Sequence, residues 1–167
     1  MGWFGYVLTW VEGRGDGCKA RGLNIEDEMA NCDEIGYAYQ RSYLSKKYQN
    51  DTTTAHQLWS RDELKASNYD VGTQITDHFE VVSKTPDAIV VRCGDSPLKT
   101  GVRDSDGLFL MGTTINKEEG VAEFRLMSVF YKGLGKATQK PMPEHVEFAH
   151  RLYTKLWMET AVQNVVM

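Results

Sequence analysis

Three side chains near the end of the chain, His150, Tyr153 and Trp157, have the types and the spacing to do chemistry on a bound organic molecule. Residues three and four apart on a helix are neighbours on one face. An imidazole there can move a proton near neutral pH or hold a hydrogen bond to a carbonyl or hydroxyl. The phenol and the indole each add a large apolar body with one polar atom. The competing reading is plain core, with His150 bonded to a strand carbonyl. Asp77 shares its alternation with Ile75, Phe79 and Val81. A carboxyl buried among such neighbours would have a raised pKa and would suit proton transfer, unless that face points outward or Asp77 ends a strand. Arg125 shares its parity with Glu123, opposite Phe124 and Leu126. Its guanidinium could hold a substrate carboxylate or carbonyl, or pair with Glu123. The candidate set is His150 and Asp77 as catalytic groups, with Tyr153, Trp157, Arg125, Phe79 and Phe124 binding the substrate.

Other motifs carry less. Glu147 and His150 have the i, i+3 spacing of carboxylate-bridged metal sites, but such sites need a second copy and further Glu from other helices, so no metal is expected. Gly133-Leu134-Gly135-Lys136 looks like part of a phosphate loop, yet Phe130 stands where the first glycine belongs, and a turn is the better reading. Gly13-Arg14-Gly15-Asp16-Gly17 reads as a flexible loop, without the strand–loop–helix frame of a dinucleotide site. No Gly-x-Ser-x-Gly or Cys/His arrangement supports covalent catalysis. Cys18, Cys32 and Cys93 are widely spaced and read as reduced thiols used as small hydrophobes. No cofactor is implied.

The elements that must position these residues follow from periodicity. Residues 2–12 are aromatic and must be buried against the domain, a ligand or a partner chain. Residues 1–34 as a whole read as an irregular aromatic and glycine-rich segment, with a short acidic helix over Leu23 to Asn31, and residues 35–166 as the sheet-and-helix core of one domain. Within that core the pattern predicts a strand over 35–44, a helix over 55–64, a strand over 75–82, a turn at Thr85-Pro86-Asp87, and strands over 88–93, 108–115 and 121–131. Short turns between successive strands imply an antiparallel meander. Pro143 to Val166 follows as a long amphipathic helix. At about 100° per residue, Val146, Ala149, Tyr153, Trp157, Thr160, Ala161 and Asn164 fall on one side, with His150 in the same stripe. Glu144, Glu147, Arg151, Lys155 and Glu159 fall on the other.

The chain has 167 residues, a net charge of −4, 41% hydrophobic and 25% charged residues. That suits one globular domain with a substantial core and argues against nucleic acid, since the basic residues form no stripe. The apolar start lacks a basic flank and a cleavage site and is too short to cross a bilayer, so a cytoplasmic location without membrane insertion is expected.

A meander followed by one long C-terminal helix resembles the helix-grip group, also called START-like or SRPBCC, which includes polyketide cyclases and plant pollen allergens. The similarity covers mainly residues 71–166, through VGTQITDHFEVVSKTPDAIVVRCGDSPL, GLFLMGTTI, GVAEFRLMSVFYKGLGKA and HRLYTKLWMETAVQNV, and is to an uncharacterised family of small proteins near that group. It implies an α+β fold with a curved antiparallel sheet wrapped on the final helix and a cavity between them. It assigns no catalytic residue. The alternative fold is a cystatin-like α+β cone, whose helices usually come first. Two functions follow as expectations. One is a cofactor-independent enzyme that folds a hydrophobic metabolite in its cavity, a cyclase, isomerase or cycloaddition catalyst of the Diels-Alderase type in secondary-metabolite biosynthesis. The other is a non-catalytic carrier for such a molecule. The aromatic start also suits a homodimer contact.

Overall fold

The structure, a computed structural model, describes residues 5–16, 36–116, 118, 121–136, 138–140 and 142–166. The expected acidic helix over 23–31 lies outside them. The elements are β1 (Gly5–Asp16), α1 (Gly36–Tyr48), α2 (Arg61–Ala66), β2 (Gln74–Ile75), β3 (Phe79–Thr85), β4 (Ala88–Cys93), β5 (Ser105–Asn116), β6 (Val121–Lys132) and α3 (Glu144–Val166). The strands form one antiparallel sheet in the order β1-β6-β5-β4-β3-β2. Register shifts at Val7/Thr9 and Val81/Ser83 are bulges of the kind that bend a sheet. The long helix comes last, as the helix-grip reading expects and the cystatin-like alternative does not. It lies against β1 and β6.

Local chemistry explains most boundaries. Pro86 and Asp87 close the β3–β4 turn, with Thr85 paired to Ala88. Ser60 caps α2, its hydroxyl accepting from the Glu63 N–H while the Glu63 carboxylate accepts from the Ser60 N–H in a capping box. That carboxylate also accepts from the Trp59 N–H, and the two backbone donors hold its pKa below the ordinary value. At Gly133 a Cβ would come 2.1 Å from the Arg103 carbonyl oxygen, so this glycine serves a close backbone passage and not a phosphate.

Four expectations need correction. Residues 5–16 are not irregular: they form a full edge strand paired with β6 from Gly5↔Tyr131 to Asp16↔Val121. The glycines at 13 and 15 suggest a loop when read locally, but the pairing comes from a strand at the far end of the chain. Residues 36–48 are helix and not strand. GYAYQRSYLSKKY has no β-branched residue, and Lys46 and Lys47 suit a helix C-terminus. The helix predicted from 55 begins only at Arg61, because Asn50 holds residues 52–54 in a side-chain-capped turn instead. The strand over 75–82 is broken by a hairpin turn. Thr76 and Asp77 both have φ of 51°, and the His78 N–H donates to the Ile75 carbonyl at 3.1 Å. Two consecutive left-handed residues match a type I′ turn, which is usually signalled by Asn-Gly.

The core lies between the sheet's inner face and α3. Val81, Ile89, Val91 and Phe124 are fully buried there, with Leu64, Tyr69, Met111, Leu126 and Met158 around them. The inward stripe of α3 is rotated from the angular count. Thr154 and Met158 are buried, His150, Tyr153, Trp157 and Glu147 are half-buried, and Val146 and Ala149 are exposed. The side chains of Thr160, Ala161 and Asn164 lie outside the described ones. Phe148, Leu152 and Leu156 form a second apolar stripe that faces outward.

Candidate functional site

The inner face of the sheet is set by register. Val91 pairs with Phe109, Phe109 with Ser128, Met111 with Leu126, and Cys93 with Gly107, which pairs in turn with Phe130. Along β3, Val81 pairs with Val91, and one step past the Glu80–Arg92 pair Phe79 comes level with Cys93. One row at this end of the sheet therefore runs Phe130, Gly107, Cys93, Phe79.

A connected series of rings joins that face to the helix. Phe79 meets Phe109 edge-on with centroids 5.9 Å apart, Phe109 meets Trp157 at 6.0 Å, and Trp157 meets Tyr153 at 6.0 Å. Three of the expected binding residues, Phe79, Trp157 and Tyr153, are thus brought together. The link between them, Phe109, is not among the residues expected from the sequence, although its alternation with Met111 and Thr113 in a β-rich run carries the signal. The Trp157 Nε1 is buried and has no hydrogen-bond partner among the described residues, an uncommon state for a buried indole.

His150 stands edge-on to Phe130, with centroids 5.5 Å apart. The Thr154 hydroxyl donates to the His150 carbonyl at 2.6 Å and lies 3.4 Å from the ring Nδ1. Burial holds the His150 pKa below the ordinary imidazole value. Its ring is therefore uncharged at neutral pH, with one nitrogen able to donate and the other to accept.

The remaining candidates sit elsewhere. Phe124 is fully buried in the core. Arg125 is on the opposite face of β6 from Phe124, exposed, and bonded to Glu123, so it does not join the ring series. Asp77 is on the hairpin turn. Its carboxylate accepts from the Ser96 hydroxyl at 2.7 Å and the Gln57 amide at 3.2 Å, while its N–H donates to the Gln57 Oε1. It ties the hairpin to residues 54–58 and to the β4–β5 connection. Beside it, the Thr76 hydroxyl is buried without a partner among the described residues. A β-branched residue at positive φ costs on the order of 1–3 kcal/mol, and the Asp77 clasp is what holds it there.

The β4–β5 connection is anchored by a buried charge cluster. Asp106 accepts from Arg92 and from Arg103, and the Arg103 guanidinium also donates to the carbonyls of Asp95 and Ser96. Cys93 lies close by. Burial, reinforced by the Asp106 charge, pushes its thiol pKa up to about 12, so it is a protonated thiol at neutral pH and not a nucleophile. Among the described residues no group of three or more His, Cys, Asp or Glu could hold a metal ion, and Glu147 is engaged by Arg151 and Lys140. No helix among the described residues is long and apolar enough to cross a membrane.

These features define an α+β protein whose curved antiparallel sheet is packed against one long C-terminal helix. No protein-family model matches the chain, and a search of curated proteins returns no match. Among solved structures the chain is similar to the crystal structure of Ara h 8.0201, at 10% sequence identity with a TM-score of 0.47, covering 99% of each chain.

Proposed function

We propose that this protein binds a hydrophobic, ring-containing small molecule between the inner face of the sheet and α3. The observation that carries this reading is the ring series Phe79–Phe109–Trp157–Tyr153, which crosses from β3 through β5 to the helix. Such a series offers stacking and edge contacts to a flat ligand, each worth about 0.5–1.5 kcal/mol beyond area burial. A ligand carbonyl or hydroxyl would give the Trp157 N–H the acceptor it lacks, and His150 supplies a second polar contact. The test is titration of the protein with para-hydroxybiphenyl, followed by tryptophan fluorescence and calorimetry. Saturable binding that weakens in Phe109→Leu and in Trp157→Phe is expected. No saturable binding of any biphenyl probe overturns the proposal.

A second reading, a cofactor-free cyclase or isomerase, rests on one observation: His150 is uncharged at neutral pH and stands against Phe130, one helical turn before Tyr153 of the ring series. Folding a flexible substrate against the rings while an imidazole moves one proton would suffice for such a step. Asp77 takes no part in it, because its Oδ1 is already occupied by Ser96 and Gln57. Incubation of a supplied ligand with the protein, followed by extraction, chromatography and NMR of the ligand, separates the two readings. A carrier releases its ligand unaltered, whereas an enzyme converts a supplied ligand to an isomer of equal mass and His150→Ala stops it.

A further inference from the structure

His78 takes no part in the ring series or in the Asp77 clasp. It is half-buried, immediately follows the strained Thr76–Asp77 turn, and stands edge-on to Phe79 with centroids 5.0 Å apart and ring planes at 84°. Three strands away in the same sheet row, His150 stands edge-on to Phe130 at 5.5 Å, also at 84°. Each imidazole thus stands against a phenylalanine of one inner-face row, over its stretch Phe130, Gly107, Cys93, Phe79. That stretch crosses three strand spacings, a distance of about 14 Å at ~4.8 Å per spacing.

Among the described residues, the charged groups near His78 all have partners, while His78 and Thr76 do not. Asp77 is taken by Gln57 and Ser96, Asp95 by Lys99, and Arg103 by Asp106 and two carbonyls. The His78 ring has no hydrogen bond to any described residue. A half-buried imidazole without a partner, held by a turn that costs energy to maintain, is a group kept for something outside the chain. Its charged neighbours are Asp77 on its own turn and Asp95 and Arg103 on the β4–β5 connection. Burial lowers its pKa more than the two carboxylates raise it, and Arg103 adds to the lowering. The ring is neutral at neutral pH, so it offers a hydrogen bond but no positive charge to pair with a ligand carboxylate.

We propose that His78 is a second polar anchor of the binding site, so that the ligand is elongated and carries a neutral oxygen function at each end, one held by His150 and the other by His78. This rests on the proposal that the ring series binds a small molecule. It adds the class of ligand: a linear two-ended phenol, alcohol or carbonyl compound, and not a carboxylate.

The test uses biphenyl, para-hydroxybiphenyl, para,para′-dihydroxybiphenyl and para′-hydroxybiphenyl-para-carboxylate as probes. Each added hydroxyl should tighten binding about three- to tenfold, the range of one hydrogen bond. His78→Leu should erase the second step, costing the diol more than the mono-ol or biphenyl, while His78→Asn should restore part of it. The carboxylate should bind more weakly than the diol. A diol no tighter than the mono-ol, a carboxylate as tight as the diol, or a His78→Leu loss equal for all probes overturns the proposal, the last because a merely structural role acts on every probe alike. If His78→Leu does not fold, His78→Asn carries the same comparison. If biphenyl and its derivatives all fail to bind, the binding reading falls and this inference with it, whereas binding without a second-hydroxyl step removes this inference alone.

Discussion

Gly107→Ala tests whether the row Phe130–Gly107–Cys93 is packed as tightly as the register implies. A Cβ at Gly107 would meet the Cys93 Sγ at 2.9 Å and two Phe130 ring carbons at 3.2 Å. The glycine is not in the left-handed region, so an alanine backbone is permitted and the unfolded chain loses entropy, a gain of about 0.4–1 kcal/mol. Against it stands overpacking in a buried row, which costs about 1–3 kcal/mol. The net loss should be about 1–2 kcal/mol, which at a urea m-value of about 2 kcal/mol/M is a drop of roughly 0.5–1 M in the unfolding midpoint. The nearest clash is with a sulfur, so Cys93→Ala should make room. Cys93→Ala alone should cost roughly 1 kcal/mol, and the double variant should be more stable than the two single losses predict, with a coupling of about 1 kcal/mol. Because the second clash is with the ring that supports His150, Gly107→Ala should also weaken para-hydroxybiphenyl binding. A variant at or above the parent midpoint, or losses that add without coupling, would refute tight packing along this row.

Two further outcomes follow. Asp77→Asn keeps an oxygen to accept from Ser96 and Gln57 and should cost about 1 kcal/mol with probe binding retained, whereas Asp77→Ala leaves both donors short of an acceptor and should cost about 2–4 kcal/mol in urea unfolding; equal losses would show that the charge, and not the clasp, matters. Burial lowers the pKa of both His78 and His150 in the folded chain, so as pH falls below about 6.5 the unfolded chain takes up protons that the folded chain refuses. Their contribution to stability is complete above that pH and is lost as pH drops through the lowered values. Thermal melts from pH 8 to pH 5 should show this loss, and it should shrink in the His78→Gln, His150→Gln double variant.

The sequence makes legible what is encoded within a few residues. β4, β5 and β6 announce themselves as β-rich runs separated by turn signals, and the Phe124–Leu126 face that the sequence sets opposite Arg125 is the inner face. Thr85-Pro86-Asp87 is a turn because proline and aspartate make it one. β1 is not legible, because its identity as a strand depends on β6 and on nothing local. The Thr76–Asp77 turn is not legible either, since β-branched Thr76 disfavours positive φ and the turn is held through Gln57 and Ser96, each some 20 residues away.

The final helix shows why its inward residues are only partly readable. It carries two apolar stripes: Tyr153, Trp157 and Met158 against the sheet, and Phe148, Leu152 and Leu156 toward solvent. Counting apolar residues around the helix cannot choose between them. What decides is the sheet, where Phe109 offers a ring to Trp157 and Phe130 offers one to His150. The same pairing rule finds a residue that periodicity passes over. In sequence His78 looks like an ordinary polar residue in a broken strand, but Phe79 holds it as Phe130 holds His150. A polar ring set against each of two phenylalanines in one row is a property of the register, and it becomes visible only once β3 and β6 are placed in the same sheet.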